Sequence, residues 1–160
     1  YTGTTEVSAG TLRLGVGGAK PAASPVALGG GTLAVADGTT NGTQTGGTLA
    51  LTENSVIDFA APTAVTTLAF GDSSGVPWTV GRTLTVVNWN GNLSGGGTSR
   101  LFVGTSASGL TPTQLGQVTI NGLPVTQLST GEVVPVPEPA ALLGLAVAGL
   151  GAAMVRRARR

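Results

Sequence analysis

The sequence predicts an all-β fold: a parallel β-solenoid, a β-helix-like body, with a C-terminal cap, followed by a single short transmembrane helix. Three observations lead there. A short phrase, Thr-Leu-x-apolar, recurs along the body. The composition is that of thin strands joined by turns: 27 of 160 residues are Gly, 41% are apolar and only 9% are charged, against about 25% charged in ordinary soluble domains. This apolar content is too high for a disordered chain, and Leu, Val, Ala and Thr between Gly turns suit strands. Finally, the C-terminal end turns abruptly apolar and then basic.

The phrase stands at Thr11-Leu12-Arg13-Leu14, Thr32-Leu33-Ala34-Val35, Thr48-Leu49-Ala50-Leu51, Thr67-Leu68-Ala69-Phe70 and Thr83-Leu84-Thr85-Val86. Gly10, Gly31 and Gly47 precede the first three copies, and the Leu positions step by 16–21 residues, near the short end of solenoid repeats. In a strand, Leu and the residue two later point to the same side. One short strand cannot bury that side alone. Copies stacked in parallel build a continuous apolar column in which each coil contacts its neighbours. The Gly before each strand permits a sharp bend. Turn-rich runs separate the copies: Leu28-Gly29-Gly30-Gly31, Asp37-Gly38-Thr39-Thr40-Asn41-Gly42 and Gly71-Asp72-Ser73-Ser74-Gly75. Ser55-Val56-Ile57-Asp58-Phe59 is a further strand candidate, so one coil carries more than one strand, and Asp58 is expected to face outward. An antiparallel β-sandwich also accommodates short strands at regular spacing, but it does not need near-identical phrases, which favours the solenoid over residues 1–97. With no basic-then-apolar leader after Tyr1, this body is expected to be the C-terminal part of a longer chain.

The pattern changes in residues 98–134, the expected cap. Ser99 to Gly104 is one strand. Thr111-Pro112-Thr113-Gln114 then carries a helix start, with Thr as N-cap, Pro at the first helical position and Gln three after the cap; Gly116 stops it after a turn or two. Gln117 to Ile120 is a strand, Asn121-Gly122 a tight turn, and Leu128 to Val134 a last strand.

Residues 135–139 form a stiff Pro-Glu-Pro lead-in. Ala140 to Val155 then contains no charged or strongly polar residue. As a helix it would span about 24 Å, somewhat short of a bilayer core of about 30 Å, which snorkelling Arg side chains make up. A buried soluble helix is the alternative, but it would lack a polar face. Arg156, Arg157, Arg159 and Arg160 make residues 156–160 a basic cytoplasmic tail and a membrane stop-transfer signal, with the body on the other side. Contact of these Arg with anionic lipid fits the same topology.

Pro137-Glu138-Pro139, a short apolar helix and a terminal Arg cluster, in that order, closely resemble the PEP-CTERM sorting domain of certain Gram-negative bacteria. The resemblance covers about residues 135–160. It implies that Pro137, Glu138 and Pro139 are the sorting motif, that Ala140–Val155 is a transient span, and that an exosortase-type membrane enzyme processes the tail. The protein would pass through an inner-membrane intermediate to the envelope or exterior, often alongside exopolysaccharide. The copies of Gly10-Thr11-Leu12-Arg13-Leu14-Gly15 resemble the autotransporter-associated beta strand repeat. The run from Leu101-Phe102-Val103-Gly104 through Leu128 to Pro135 is similar to the C-terminal portion of repeat proteins that end in such tails. No membrane barrel follows the repeats here, so the autotransporter secretion route is not implied.

Little in the body carries chemistry. The chain has no Cys and no His, so a thiolate site and a Ser-His-Asp triad are out of reach. No catalytic, cofactor-binding or metal residues are assigned, and no cofactor is expected. The acidic residues of the body, Glu6, Asp37, Glu53, Asp58, Asp72 and Glu132, are scattered and read as solvated turn and loop charges rather than as the paired carboxylates of a glycan-cleaving enzyme. Against them stand Arg13, Lys20, Arg82 and Arg100, a balance that argues against nucleic-acid binding. Trp78 and Trp89 are the large aromatic residues. Packing at the solenoid end is the plainer role for both, but Pro77 suggests a surface turn and makes Trp78 the possible glycan contact. The expectation is therefore a non-enzymatic surface or secreted adhesin-like protein. Its expected partners are the exosortase-type enzyme, the membrane in a transient or permanent way, and possible extracellular polysaccharide. The alternative is the non-catalytic C-terminal part of a secreted polysaccharide-active enzyme.

Overall fold

The computed structural model describes residues 1–15, 18–35 and 42–138. They are mostly β, and the chain visits three sheets in rotation. β1 (Thr5–Val7) lies in the first sheet and β2 (Thr11–Leu14) in the second. β3 (Val26–Leu28), β4 (Thr32–Val35) and β5 (Gly42–Thr45) then take the first, second and third sheets in turn. So do β6 (Leu49–Leu51), β7 (Ser55–Asp58) and β8 (Thr66–Phe70). β9 (Leu84–Val87) returns to the second sheet and β10 (Ser99–Val103) to the third. After the short helix α1 (Pro112–Leu115), β11 (Val118–Ile120) adds to the second sheet. All pairings to this point are parallel. Then β12 (Leu123–Gln127) and β13 (Val133–Pro135) reverse direction and pair antiparallel.

The repeated phrase does not mark a single column of strands. Its first two copies do pair, Thr11 opposite Thr32 and Leu12 opposite Leu33. The third copy sits in the first sheet against β3, and the fourth in the third sheet between β5 and β10. The fifth returns to the second sheet opposite β7. The spacing between true partners lengthens along the chain, from 21 residues (Thr11 to Thr32) to 34 (Val86 to Ile120). The reason is that all three sheets make the same demand: a corner, then apolar side chains inward at alternate positions. The phrase therefore says that a strand follows a corner, not which sheet it joins.

Alternation sets the core. In the second sheet, Leu33, Ile57, Val86 and Ile120 occupy successive register positions and are at most 1% exposed. Val7, Leu28 and Leu51 stack likewise in the first sheet, at most 3% exposed, and Leu68 lies beside Leu101 in the third, both buried. Each such side chain contributes about 1.5–3 kcal/mol by leaving water. Asp58, between buried Ile57 and Phe59, faces outward as expected. At corners the ladder breaks and leaves buried backbone donors. Serines fill the gap between rounds. The Ser55 hydroxyl accepts from Gly30 N at 3.0 Å and donates to Glu53 O, and Ser73 accepts from Leu49 N at 2.9 Å and donates to Gly71 O. A hydroxyl suits this position because it accepts and donates at once.

The C-terminal part closes the stack. Thr111 and Gln114 form the expected capping box at α1. Gln114 is itself buried, and its amide reaches back to Ser73 O (3.0 Å) and Val76 O (2.9 Å). Asn121 and Gly122, with φ of 49° and 81°, make the tight reversal from β11 to β12, the conformation such dipeptides favour. Two details differ from expectation. β10 lies beyond residue 97 yet continues the parallel third sheet. The one strand expected over Leu128–Val134 is instead a hairpin, β12 and β13, with Leu128 to Gly131 as its turn (Leu128 N to Glu132 O, 2.8 Å; Gly131 N to Leu128 O, 2.9 Å). Pro124 lies within β12, where near the sheet margin a missing N–H is tolerated. Among the described residues no helix is long and apolar enough to cross a membrane. The expected span, 140–155, and Arg156, Arg157, Arg159 and Arg160 lie outside the described residues.

Candidate functional site: the chain exit after the last strand

β13 delivers the chain to the surface. Val133 and Val134 are buried, as is Pro135. One residue later the chain changes character: Val136 is 38% exposed, and Pro137 and Glu138 are exposed. Val136 N donates to Pro124 O at 2.8 Å, the last backbone tie to the body among the described residues. Pro137 has no N–H to continue the ladder, so pairing ends there. Of the proposed motif, Pro137 and Glu138 thus stand clear of the body; Pro139 lies outside the described residues.

The exit is anchored by a group the sequence reading missed. Glu132, expected to be a solvated loop charge, is 2% exposed. Its carboxylate accepts from Gly96 N at 3.0 and 3.1 Å and from Arg100 Nη2 at 3.4 Å. Arg100 in turn stacks over the Phe102 ring, 5.0 Å from its centroid. The three-glycine run makes this approach possible. A Cβ at Gly95 would lie 2.9 Å from Leu128 Cδ1 and 3.0 Å from a Glu132 carboxylate oxygen, and φ there is +93°. A groove of about 390 Å³ runs over the cluster, with Ser94, Ser129 and Thr130 on its walls. The available signal was the pairing of Gly95-Gly96-Gly97 with a Glu next to Val133-Val134, but nothing local says that distant segments meet. Glu132→Ala should cost about 2–3 kcal/mol in urea unfolding, because the Gly96 N–H loses its buried acceptor. Glu53→Ala, which breaks the exposed Glu53–Arg82 pair (3.3 Å), should cost no more than about 0.5 kcal/mol.

Trp78 is corrected. It is 8% exposed, and its indole N–H donates to Leu49 O at 2.9 Å. The neighbouring Thr79 N bonds Leu51 O at 2.8 Å. The segment around Trp78 thus covers β6, in a round where the first sheet has no strand of its own, and the indole offers no free face for a sugar ring. Pro77 does mark a turn, but the turn folds inward because it must close the apolar face of β6. Trp89 is buried to the same degree.

Asp58 and Asp72 are also held by hydrogen bonds. Asp58 accepts from Ala60 N and Asn88 Nδ2, both at 2.7 Å. Asp72 accepts from the Ser74 hydroxyl (2.7 Å) and backbone N–H (2.9 Å), and these bonds hold its carboxyl below the ordinary carboxylate range. Among the described residues, no three acidic side chains are grouped to hold a metal ion.

Comparison with protein-family models, curated proteins and solved structures gives no match to this chain.

Proposed function

We propose that this chain is an exported, non-enzymatic β-solenoid protein of the cell surface or exterior, adhesin-like or a matrix scaffold. On this reading it is delivered by a PEP-CTERM-type tail that an exosortase-type enzyme processes. The observation that carries the reading is the exit. Pro137 and Glu138 are exposed immediately after the buried β13, and a signal read by another protein must be presented clear of the body. In sequence they lead into sixteen uncharged residues and an Arg cluster, the order needed for a span stopped on the cytoplasmic side. The rotation through three in-register parallel sheets supports the solenoid. The engagement of Glu53, Asp58, Asp72 and Glu132 in hydrogen bonds and ion pairs within the fold supports a structural role over a hydrolytic one. With Trp78 inside, an extracellular polysaccharide partner would meet the outer faces of the sheets.

Deleting residues 137–160 in the producing cell tests the sorting reading. The truncated protein should leave the normal route and change compartment on fractionation; an unchanged distribution overturns the reading. Mass measurement of the mature C-terminus separates processing from permanent anchoring. Loss of Arg160 fits processing, and an intact Arg160 fits a retained anchor.

A further inference from the structure

The dipeptide Asn-Gly occurs three times, at Asn41-Gly42, Asn90-Gly91 and Asn121-Gly122. It is open to attack by the Gly backbone nitrogen on the Asn side-chain amide, because Gly has no side chain to block the approach. Asn41 lies outside the described residues. The fold treats the other two differently. Asn121 is held at both ends of its amide: Nδ2 donates to Trp89 O at 2.8 Å, and Oδ1 accepts from Trp89 N at 3.3 Å. Ring closure at Asn121 must break both bonds. Asn90 is exposed, and its side-chain amide has no hydrogen-bond partner among the described residues.

The nucleophile beside Asn90 is also free. Gly91 faces Gly97 in an antiparallel bridge, flanked by the bonds Thr98 N to Asn90 O (3.2 Å) and Asn92 N to Gly96 O (2.9 Å). That pattern makes Gly91 and Gly97 a non-hydrogen-bonded pair, so the Gly91 N–H points away from its partner. Packing fixes the Gly half of the dipeptide, since a Cβ at Gly91 would fall onto Ser99 O and the Trp89 ring.

The backbone of Asn90 closes the loop that carries Gly96. Asn90 O accepts from Thr98 Oγ1 (2.6 Å), Thr98 N (3.2 Å) and Ser99 N (3.3 Å), and Asn90 N donates to Ser99 Oγ at 2.9 Å. At the far side of this loop Gly96 N donates to the buried Glu132 carboxylate. Bonds on an exposed loop open at less than the cost of global unfolding, and each opening lets Gly91 N reach Asn90 Cγ. The N–Cγ bond forms, the Cγ–Nδ2 bond breaks, and the Gly91 amide proton leaves with Nδ2 as ammonia. Water then opens the cyclic imide. Addition at Cγ breaks the new N–Cγ bond and leaves aspartate. Addition at the main-chain carbonyl carbon breaks its bond to Gly91 N and leaves isoaspartate, whose chain runs through Cβ and Cγ and is one atom longer. That extra atom displaces the carbonyl on which Thr98 and Ser99 close.

We propose that Asn90 is a site of spontaneous deamidation to isoaspartate in the folded protein, and that this modification loosens the loop holding Glu132. The proposal is independent of the sorting reading. The 160-residue chain is held in mildly alkaline buffer, folded or in urea, and isoaspartate is quantified by peptide mapping at Asn90 and Asn121. In the folded chain Asn90 should convert at least about tenfold faster than Asn121. In urea, where the bonds to Trp89 are gone, the two rates should agree within about twofold. Asn90→Gln, which is too long to close the same ring, should abolish conversion at position 90 and leave the unfolding midpoint unchanged. The converted protein, separated by its added charge, should exchange the amides of Gly96, Thr98 and Ser99 at least about tenfold faster than the parent. Asn90→Asp, which adds the charge without the extra atom, should keep the parent's exchange. Equal rates at Asn90 and Asn121 in the folded chain, or conversion of Asn90 only in urea, overturns the modification site. Unchanged exchange at Gly96 in the isoaspartate form, or equal loss of protection in Asn90→Asp, overturns the loosening by the lengthened backbone.

Discussion

Gly109→Ala is expected to lower stability by about 3 kcal/mol or more in urea unfolding, a large effect for a single methyl. Gly109 follows β10 at the point where the chain crosses back over its own strand. A Cβ there would fall onto the Val103 carbonyl and lie 3.0 Å from Gln127 Nε2. The obstacle is backbone on one side and a committed amide on the other. Gln127 Nε2 donates to Val103 O and to Gly131 O (2.6 and 3.1 Å), and its carbonyl accepts from Leu110 N at 3.0 Å. Gly109 O also receives Ser73 N at 2.9 Å, which ties this crossing to the preceding round. Moving the chain to admit a methyl breaks several of these bonds together. Gly75→Ala is the control: no atom lies within 4 Å of its Cβ position, so the change should stay within about 0.5 kcal/mol. If both substitutions behave alike, the close approach at Gly109 is not real.

The second large effect is a contrast between neighbours. Ile57→Ala should cost about 2–5 kcal/mol and Val56→Ala less than about 1 kcal/mol, measured as shifts in the urea midpoint at constant slope. The two residues are adjacent and chemically alike. They differ in which side of the sheet they occupy. Ile57 is fully buried between Leu33 and Val86 in the second sheet, and truncating it opens a cavity that flanking strands cannot close without breaking two ladders. Val56, paired with Thr32 and Thr85, lies on the outer face and is only half-buried. A register shifted by one residue would invert the result, so the pair of measurements tests the pairing itself.

Local features were legible where the deciding interaction is local. The Thr111–Gln114 capping box spans three residues and needs no partner. The Asn121-Gly122 reversal follows from which residues accept positive φ. The outward Asp58 follows from period two. The assignment of strands to sheets was not legible, because each sheet reads the same alternation. Thr48 to Leu51 and Thr83 to Val86 look like copies of one phrase yet serve different sheets. The burial of Glu132, and the choice between the two roles of Trp78, were not legible for a related reason. A glutamate is buried only if a donor reaches it, and the donor, Gly96, is 36 residues away. An indole turns inward only if a sheet needs cover, and the acceptor Leu49 O is 29 residues away.

By itself, the sequence determined that this chain forms short β strands with one apolar side, that Gly-rich turns separate them, and that an uncharged stretch and an Arg cluster follow the Pro-Glu-Pro motif. These properties depend on neighbouring residues, through backbone sterics and side-chain alternation. Only the tertiary structure decided that the strands circulate through three sheets, that an antiparallel hairpin closes one end, and that Glu132 locks the chain beneath its exit. Those outcomes depend on which distant backbone groups come within hydrogen-bonding reach, and alternation, identical in every strand, does not encode that choice.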